Sequence, residues 1–273
     1  MQSTEPLIRV GAVSYLNTAP LLYGLEQSAL RQRIDLYTDY PSAVANRLLQ
    51  GSIDVGLVPV AIKPLLPQAF IQSRWCIGAV GPVASVCLFS QVPLQQVQTV
   101  LLDYQSRTSV ALVQVLMRHY WQKEVQWLPA YPGFENDING TTAAVVIGDR
   151  AFHLHQRCQY AFDLAEAWIA HTGLPFVFAA WISNKALPDE FVAAFDAAQQ
   201  AGLQQLEEVV KLHPFAGYDL LHYYRHHISY SLDADKRAGM SLFLKLLTET
   251  ERPFAGSAVA TAAFTTNTNE THP

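Results

Sequence analysis

Charged side chains are scarce in this sequence of 273 residues. Asp, Glu, Lys and Arg make up 15% of it, against about a quarter in a typical soluble domain. The formal net charge is −5 and no long basic run occurs, so a nucleic acid is not an expected partner. A mildly acidic chain can still bind a small anion, because backbone N–H groups and one or two arginines set the local field at a site.

Cysteine is scarce as well, since the chain has only Cys76, Cys87 and Cys158. Their odd number, their apolar or neutral neighbours and the absence of a Cys-x-x-Cys pair predict free, buried thiols. No apolar segment reaches the roughly 20 residues that span a bilayer, and the polar start does not resemble a secretory signal. The sequence therefore predicts a cytoplasmic protein that does not bind membranes.

Several signatures of catalysis and of metal binding are missing too. The chain contains no Gly-x-Ser-x-Gly, no Gly-x-Gly-x-x-Gly, no phosphate-binding P-loop and no His-Glu-x-x-His. His222 and His226 would share one helical face, but a histidine pair without a third ligand is a weak zinc signal. We therefore predict no metal site.

What the chain does contain is a regular alternation of strands and helices. The first series covers residues 7–58, with apolar strand patterns at both ends and Pro-initiated helices between them. A second series covers residues 99–147 and is built around an amphipathic helix at 108–121. Strands that alternate with helices are typical of a parallel or mixed sheet in an α/β protein.

Two such series, joined near residues 83–92, predict two lobes. Residues 176–182 are apolar on both faces, as expected of a central strand, and after Pro188 the pattern is helical. The predicted division is lobe 1 at 1–88 and 178–252, lobe 2 at 89–177, and a disordered tail at 253–273. A protein of this shape binds its ligand in the cleft between the lobes.

A polar turn directly follows the first strand. It contains Ser14, Tyr15, Asn17 and Thr18, and the first helix begins after it. Turns at the carboxyl ends of strands are where α/β sheets bind their ligands. Asn17 or Thr18 could equally serve only as the N-cap of the helix, and the spacing leaves both interpretations open.

The start of the helix at 108–121 combines hydroxyl groups with an arginine, in the order Ser106, Arg107, Thr108 and Ser109. A helix N-terminus offers unpaired N–H groups to an anion, and a guanidinium group adds positive charge. This pattern predicts a carboxylate or phosphate site. The alternative is an ordinary capped helix with Arg107 in solvent.

Two further positions are candidates. Ser85 ends the turn GPVAS at 81–85 and could present its hydroxyl and its N–H to an anion, or remain a solvated turn residue. Asp149 follows the end of a strand. It could act as a base or hydrogen-bond acceptor in a cleft, or simply cap the next helix.

Seven segments stand out along the chain: VSYLNTAPL at 13–21, DVGLVPV at 54–60, GPVASV at 81–86, SRTSVAL at 106–112, IGD at 147–149, DLAEAW at 163–168 and TGLPFVF at 172–178. No single segment is specific on its own. In their order and spacing, they resemble the chorismate dehydratase family, from about residue 8 to about residue 250. Some relatives have a Ser-Ser pair where this chain has Val-Pro-Val at 58–60.

The resemblance implies the type 2 periplasmic-binding-protein fold, an α/β fold of two lobes, each a mixed sheet flanked by helices. It also implies a carbon–oxygen lyase that converts chorismate to 3-[(1-carboxyvinyl)oxy]benzoate and water, in the futalosine route to menaquinone. No metal or organic cofactor is implied. A sister family acts on a later intermediate, but it has Pro-Asn-Asp where this chain has YLNT at 15–18.

Residue roles follow from the resemblance. Asn17 is expected nearest the reacting centre, and the base is either Asp149 or a carboxylate of the substrate itself. The expected substrate-binding residues are Ser14, Tyr15, Thr18, Ser85, Ser106, Arg107, Thr108 and Ser109. The rival interpretation is a non-catalytic cytoplasmic binder or sensor of a small carboxylate, because the same lobes and anion sites would serve it.

Overall fold

The computed structural model describes residues 6–250, which contain eleven strands in two sheets. The tail predicted at 253–273 lies outside these residues. The strands are β1 (Ile8–Val13), β2 (Ile34–Asp39), β3 (Val55–Pro59), β4 (Phe70–Ala79), β5 (Val86–Ser90), β6 (Thr99–Leu102), β7 (Gln126–Pro129), β8 (Thr142–Ile147), β9 (Tyr160–Asp163), β10 (Phe176–Ser183) and β11 (Ser229–Ser231).

The helices cover both sheets and dominate the last third of the described chain. They are α1 (Ala19–Gln27), α2 (Pro41–Leu49), α3 (Thr108–His119), α4 (Asp149–Leu154), α5 (Leu164–Thr172), α6 (Asp189–Leu203), α7 (Leu206–Leu212), α8 (Leu220–His222) and α9 (Ala234–Thr250). A π-helical turn, Tyr223–His227, follows α8 directly. No helix in the described part of the chain is both long enough and apolar enough to cross a membrane.

The first sheet has the strand order β11-β4-β10-β3-β1-β2. Its β1 pairs in parallel with β2 and β3, whereas β10 pairs antiparallel with β3 and β4. Every residue of β10 is buried, as the apolar pattern on both of its faces predicts.

The second sheet has the order β7-β6-β8-β5-β9. Here β6 is parallel to β7 and β8, and β5 is antiparallel to β8 and β9. Both sheets are therefore mixed, as predicted. We propose that each sheet with its helices is one lobe, with chain crossings at 80–85 and 173–175. The division predicted at residues 88 and 178 falls inside β5 and β10.

The expectation of an all-helical chain after Pro188 is wrong at β11. This strand has only three residues and pairs antiparallel with the edge of β4. So short a segment has no period of its own, and the open edge of β4 decides its conformation. The cysteines are free as predicted, with Cys76 and Cys87 buried and Cys158 half-buried.

Helix α1 is held very close to α6, and this contact positions the polar turn that precedes α1. A Cβ atom at Gly24 would lie 2.0 Å from the backbone oxygen of Ala198, and one at Gly202 would lie 2.0 Å from that of Pro20. Only glycine allows the two backbones to approach this closely. The turn before α1 is therefore anchored by a rigid helix pair.

Candidate active site

A cleft lies between the two sheets and has a volume of about 490 Å³, counting space open to solvent. Its polar lining consists of Tyr15, Asn17, Thr18, Ser85, Ser106, Thr108 and Ser109. The turn after β1, the crossing before β5 and the start of α3 are therefore brought together, as predicted.

The remaining lining is mostly apolar and includes Pro59, Ile77, Val86 and Phe178. Pro59 has no polar side chain, so this part of the wall offers no side-chain hydrogen bond. Among the described lining residues, none carries a carboxylate, imidazole, ammonium or guanidinium group. The phenol of Tyr15 is the lining group that titrates, and burial raises its pKa.

Asn17 lies in a short 3-10 turn, Leu16–Thr18, and is half-buried. Its Oδ1 accepts a hydrogen bond from Thr18 Oγ1 at 3.1 Å, and its backbone oxygen accepts one from the Tyr230 hydroxyl at 2.9 Å. Thr18 occupies the N-cap position of α1, as one of the two interpretations has it, but no side chain forms a capping hydrogen bond there. The amide nitrogen of Asn17 donates to no residue within 6–250 and is available to a ligand.

The same turn is tied to the second lobe. The Tyr15 hydroxyl donates to Oε1 of Gln105, and the N–H of Leu16 donates to Oδ1 of Asp149 at 3.1 Å. The Tyr15 ring lies so close to Gly148 that a Cβ atom there would be 2.9 Å from three ring carbons. These contacts hold the two lobes together across the cleft.

Asp149 does not line the cleft; its carboxylate serves this interlobe hydrogen bond. Burial raises its pKa to about 6, although the N–H of Leu16 and the nearby Arg150 act in the opposite direction. Arg150 itself forms ion pairs with Asp103 at 2.5 Å and with Glu135 at 2.8 Å. Its charge is therefore compensated within the second lobe.

At the start of α3, the hydroxyls are partly engaged by the protein. Ser106 Oγ accepts a hydrogen bond from the N–H of Ser109 at 3.1 Å, and Thr108 Oγ1 accepts one from the N–H of Ala61 at 3.2 Å. Arg107 occupies the N-cap position of α3 without a capping side-chain bond, whereas Ser106, one residue earlier, accepts an N–H of the first turn and also lines the cleft. An anion here would meet hydroxyl and N–H groups at the positive end of the helix dipole.

Two predicted contacts are placed elsewhere. Arg107 does not line the cleft; its Nη2 donates to Oδ1 of Asn46 on α2 at 2.5 Å. Burial lowers the pKa of Arg107 from its ordinary value. Ser14 is exposed, lies off the cleft lining and donates its N–H to the backbone oxygen of Asp39. The guanidinium group of Arg107 is thus engaged by α2.

Ser85 is fully buried at the cleft, and its Oγ lies 2.6 Å from the hydroxyl of Tyr223. The preceding N–H groups of Val83 and Ala84 donate to Oδ2 of Asp163 at 2.8 and 2.7 Å. Sequence reasoning missed Tyr223 and Asp163 as parts of the site. No local signal could have found Tyr223, because its partner is 138 residues away.

Within residues 6–250, no group of three or more His, Cys, Asp or Glu side chains could hold a metal ion. The rings of His222 and His226 do lie 4.6 Å apart between centroids. A pair of this kind offers two ligands at most, where zinc sites need three or four.

Sequence comparison relates the chain to one biosynthetic family. A family model described as menaquinone biosynthesis matches residues 8–249. The chorismate dehydratase of Thermus thermophilus is 28% identical over 268 residues, covering 87% of this chain and 94% of that protein.

Structural comparison finds the same fold in proteins of low sequence identity. A protein of Archaeoglobus fulgidus gives a TM-score of 0.70 at 13% identity, covering 92% of this chain and 98% of that one. The alkanesulfonate-binding protein of Xanthomonas axonopodis pv. citri, bound to MOPS, gives 0.61 at 15% identity, with 90% and 94% covered. A Candida albicans gene product with the generic periplasmic binding protein fold gives 0.57 at 12% identity, with 93% and 92% covered. The predicted fold class is confirmed.

Proposed function

Because the chain belongs to the menaquinone biosynthesis family, we propose that it is a chorismate dehydratase, a lyase that removes water from chorismate. The product is 3-[(1-carboxyvinyl)oxy]benzoate. The Thermus relative supports this assignment by the activity that its name states. A biosynthetic reaction of this kind also fits the cytoplasmic location that the sequence predicts.

The observation that carries the proposal is the composition of the cleft. Seven polar side chains, six of them ending in a hydroxyl, share it with an apolar wall that includes Ile77 and Phe178. Chorismate has a carbon ring, two carboxylates and a ring hydroxyl. The ring can pack on the apolar wall, while hydroxyls and the N-terminus of α3 bind the carboxylates.

The reaction needs little chemical assistance. The ring carbon that bears the ether loses its proton, the neighbouring carbon–oxygen bond breaks, and the hydroxyl leaves as water. The electron pair of the broken C–H bond completes an aromatic ring, so the reaction is strongly downhill. The protein has to hold the ring in one geometry, assist the leaving hydroxyl and exclude competing rearrangement.

Asn17 is placed to assist the leaving hydroxyl. Asn17 lines the cleft, and its amide nitrogen donates to no residue within 6–250. An amide is too weak a base to remove a carbon-bound proton, but its N–H can stabilise charge that develops on the departing oxygen. We therefore assign Asn17 the catalytic hydrogen bond.

For the base, we propose a carboxylate of the substrate. The described lining residues offer no carboxylate or imidazole, and Asp149 already accepts the N–H of Leu16. In this assignment, Asp149 is a positioning residue that holds the turn carrying Asn17. The two possible roles of Asp149, positioning residue or base, predict different values of kcat for the variant Asp149→Asn.

Asp149→Asn is expected to retain kcat within about threefold, because the amide oxygen can still accept the N–H of Leu16. Asp149→Ala removes the acceptor and should lower kcat/KM by about tenfold. Both variants are measured with chorismate at the same pH, on the neutral to weakly alkaline side. A loss of two orders of magnitude in Asp149→Asn would instead identify Asp149 as the base.

The same variant tests the electrostatics of Asp149. Its pKa of about 6 in the folded protein exceeds the value of about 3.9 in the unfolded chain. The folded state therefore binds the proton more tightly, and this contribution to stability is lost as the pH rises from about 4 to about 6. We expect Asp149→Asn to melt above the wild type at about pH 8 and level with it at about pH 4. An equal difference at both pH values would contradict this.

The function itself is tested by incubating the purified protein with chorismate and following the products by chromatography and mass. The expected result is the dehydrated enol-ether benzoate, formed faster than in a control without enzyme. Chorismate binding without turnover, measured by calorimetry, would favour the sensor interpretation. If the protein neither turns over nor binds chorismate, the assignment is overturned.

A further inference from the structure

Tyr223 begins the π-helical turn, Tyr223–His227, and its side chain makes one hydrogen bond to residues within 6–250. Its hydroxyl lies 2.6 Å from Oγ of Ser85. Both side chains are buried, with 1% of Tyr223 and 0% of Ser85 exposed. Ser85 lines the cleft and Tyr223 does not, so Tyr223 can influence a ligand only through Ser85.

The direction of this hydrogen bond follows from the partners available. The Tyr223 hydroxyl has no other hydrogen-bond partner within residues 6–250, and a buried O–H without an acceptor is costly. Burial also raises the pKa of Tyr223 far above its ordinary value, so the phenol keeps its proton. The Ser85 hydroxyl is equally buried, but Ser85 borders the cleft, where a ligand can supply an acceptor, and Tyr223 does not. We therefore assign Tyr223 as the donor and Ser85 Oγ as the acceptor.

Ser85 is left with a proton to donate. A serine hydroxyl carries one hydrogen and two acceptor sites, and one acceptor site is taken by Tyr223. The Ser85 hydrogen has no acceptor in the described part of the chain. Because Ser85 borders the cleft, the remaining direction for this hydrogen is into the cleft.

The backbone around Ser85 is held firmly, which leaves the hydroxyl rotor as its main freedom. Ala84 has a φ of 62°, a left-handed conformation that a non-glycine residue keeps only where its surroundings impose it. Asp163 accepts the N–H groups of Val83 and Ala84. The backbone oxygen of Ser85 accepts the N–H of Gly148 at 2.8 Å.

We propose that Tyr223 is a positioning residue that orients the Ser85 hydroxyl as a hydrogen-bond donor to an anionic oxygen of the substrate. This inference rests on the proposed function, in which the cleft holds a dicarboxylate. A hydroxyl that accepts one hydrogen bond becomes a stronger donor in the next. Without Tyr223, the Ser85 hydroxyl rotates freely and loses part of this polarisation.

The test is a double-mutant cycle of Tyr223→Phe and Ser85→Ala, with kcat and KM for chorismate measured in all four proteins. Tyr223→Phe is expected to lower kcat/KM by about tenfold. In the Ser85→Ala background the same change should have an effect of less than about twofold, because the hydroxyl that it orients is absent.

Tyr224→Phe is the matched control. Tyr224 is adjacent, 2% exposed, and its hydroxyl has no hydrogen-bond partner within residues 6–250. Removing this hydroxyl should leave kcat/KM within about twofold of the wild type. Melting temperatures of all five proteins show that each is folded.

Equal losses from Tyr223→Phe in both backgrounds would mean a general structural role and would overturn the proposal. Wild-type kcat/KM in Tyr223→Phe would also overturn it. Absence of turnover by the wild-type protein would instead remove the dehydratase assignment. In that case, the affinity of the same variants for chorismate is measured by calorimetry. The inference is overturned if the effects of the two substitutions on affinity are additive, or if chorismate does not bind.

Discussion

Replacing Asn17 with alanine is expected to lower kcat for chorismate by about tenfold or more. The variant lacks the N–H donor that stabilises the charge developing on the leaving oxygen, and loss of such a donor has an effect of this size or larger. KM should change little, because the hydroxyls and the N-terminus of α3 still bind the carboxylates. The fold should persist, since within residues 6–250 the Asn17 side chain accepts a single hydrogen bond, from Thr18, worth about 0.5–1.5 kcal/mol. Steady-state kinetics and thermal unfolding measure the two effects separately.

Asn184→Ala provides the control for this variant. Asn184 is half-buried, lies outside the cleft lining and donates to the backbone oxygen of Ile53 at 3.4 Å. Its loss should leave kcat within about twofold. If Asn17→Ala turns over chorismate at the wild-type rate, Asn17 does not contact the leaving hydroxyl, and the catalytic assignment fails.

Gly148→Ala is expected to have the largest effect on both stability and activity. Gly148 has φ 67° and ψ −151°, a region that is essentially restricted to glycine and costs other residues about 1–3 kcal/mol. A Cβ atom would also come within 2.9 Å of the Tyr15 ring. Tyr15 cannot retreat without breaking its hydrogen bond to Gln105. The lobes would then close imperfectly, and displacement of about 1 Å at the cleft can cost about a hundredfold in kcat/KM.

Gly51→Ala separates backbone strain from this clash. Gly51 also has a positive φ, 71°, but no atom lies within 4 Å of its Cβ position. The variant should lose about 1 kcal/mol of unfolding free energy in denaturant and retain its kcat/KM. Equal catalytic losses in Gly51→Ala and Gly148→Ala would contradict the role given to the contact between Gly148 and Tyr15.

The elements with a strong period of their own were predictable from the sequence. The pattern at β10 is apolar on both faces and predicts a buried strand, and the pattern at α3 follows the helical period and predicts a helix. Both predictions are confirmed. Strand β4 was missed, although it is ten residues long, because its mixed polar and apolar residues follow neither period. Its neighbours β10 and β11 stabilise it from either side, and such pairing is invisible to a local pattern.

For the candidate site, the sequence predicted the polar turns that line the cleft but not the position of every side chain. The hydroxyl-bearing turns after β1 and before α3 do converge on one cleft. Each is a strand-end turn, the position at which α/β sheets bind their ligands, and the two turns belong to different sheets that face each other across the cleft. The destination of longer side chains could not be predicted. Arg107 reaches Asn46 on the other lobe, and the reach of a guanidinium group allows several such partners. Its proposed contact with a substrate anion therefore has no support from this arrangement.

By itself, the sequence determined the strongly periodic elements, such as β10 and α3, and the polar turns after β1 and before α3, since these depend on neighbours within a few residues. It also determined the family, because the order and spacing of many weak segments together are specific. Only the tertiary structure decided that the carboxylate of Asp149 accepts the N–H of Leu16 and that the hydroxyl of Tyr223 meets Ser85. These two hydrogen bonds join residues 133 and 138 positions apart. Such bonds depend on how the lobes pack, and no local pattern encodes that packing.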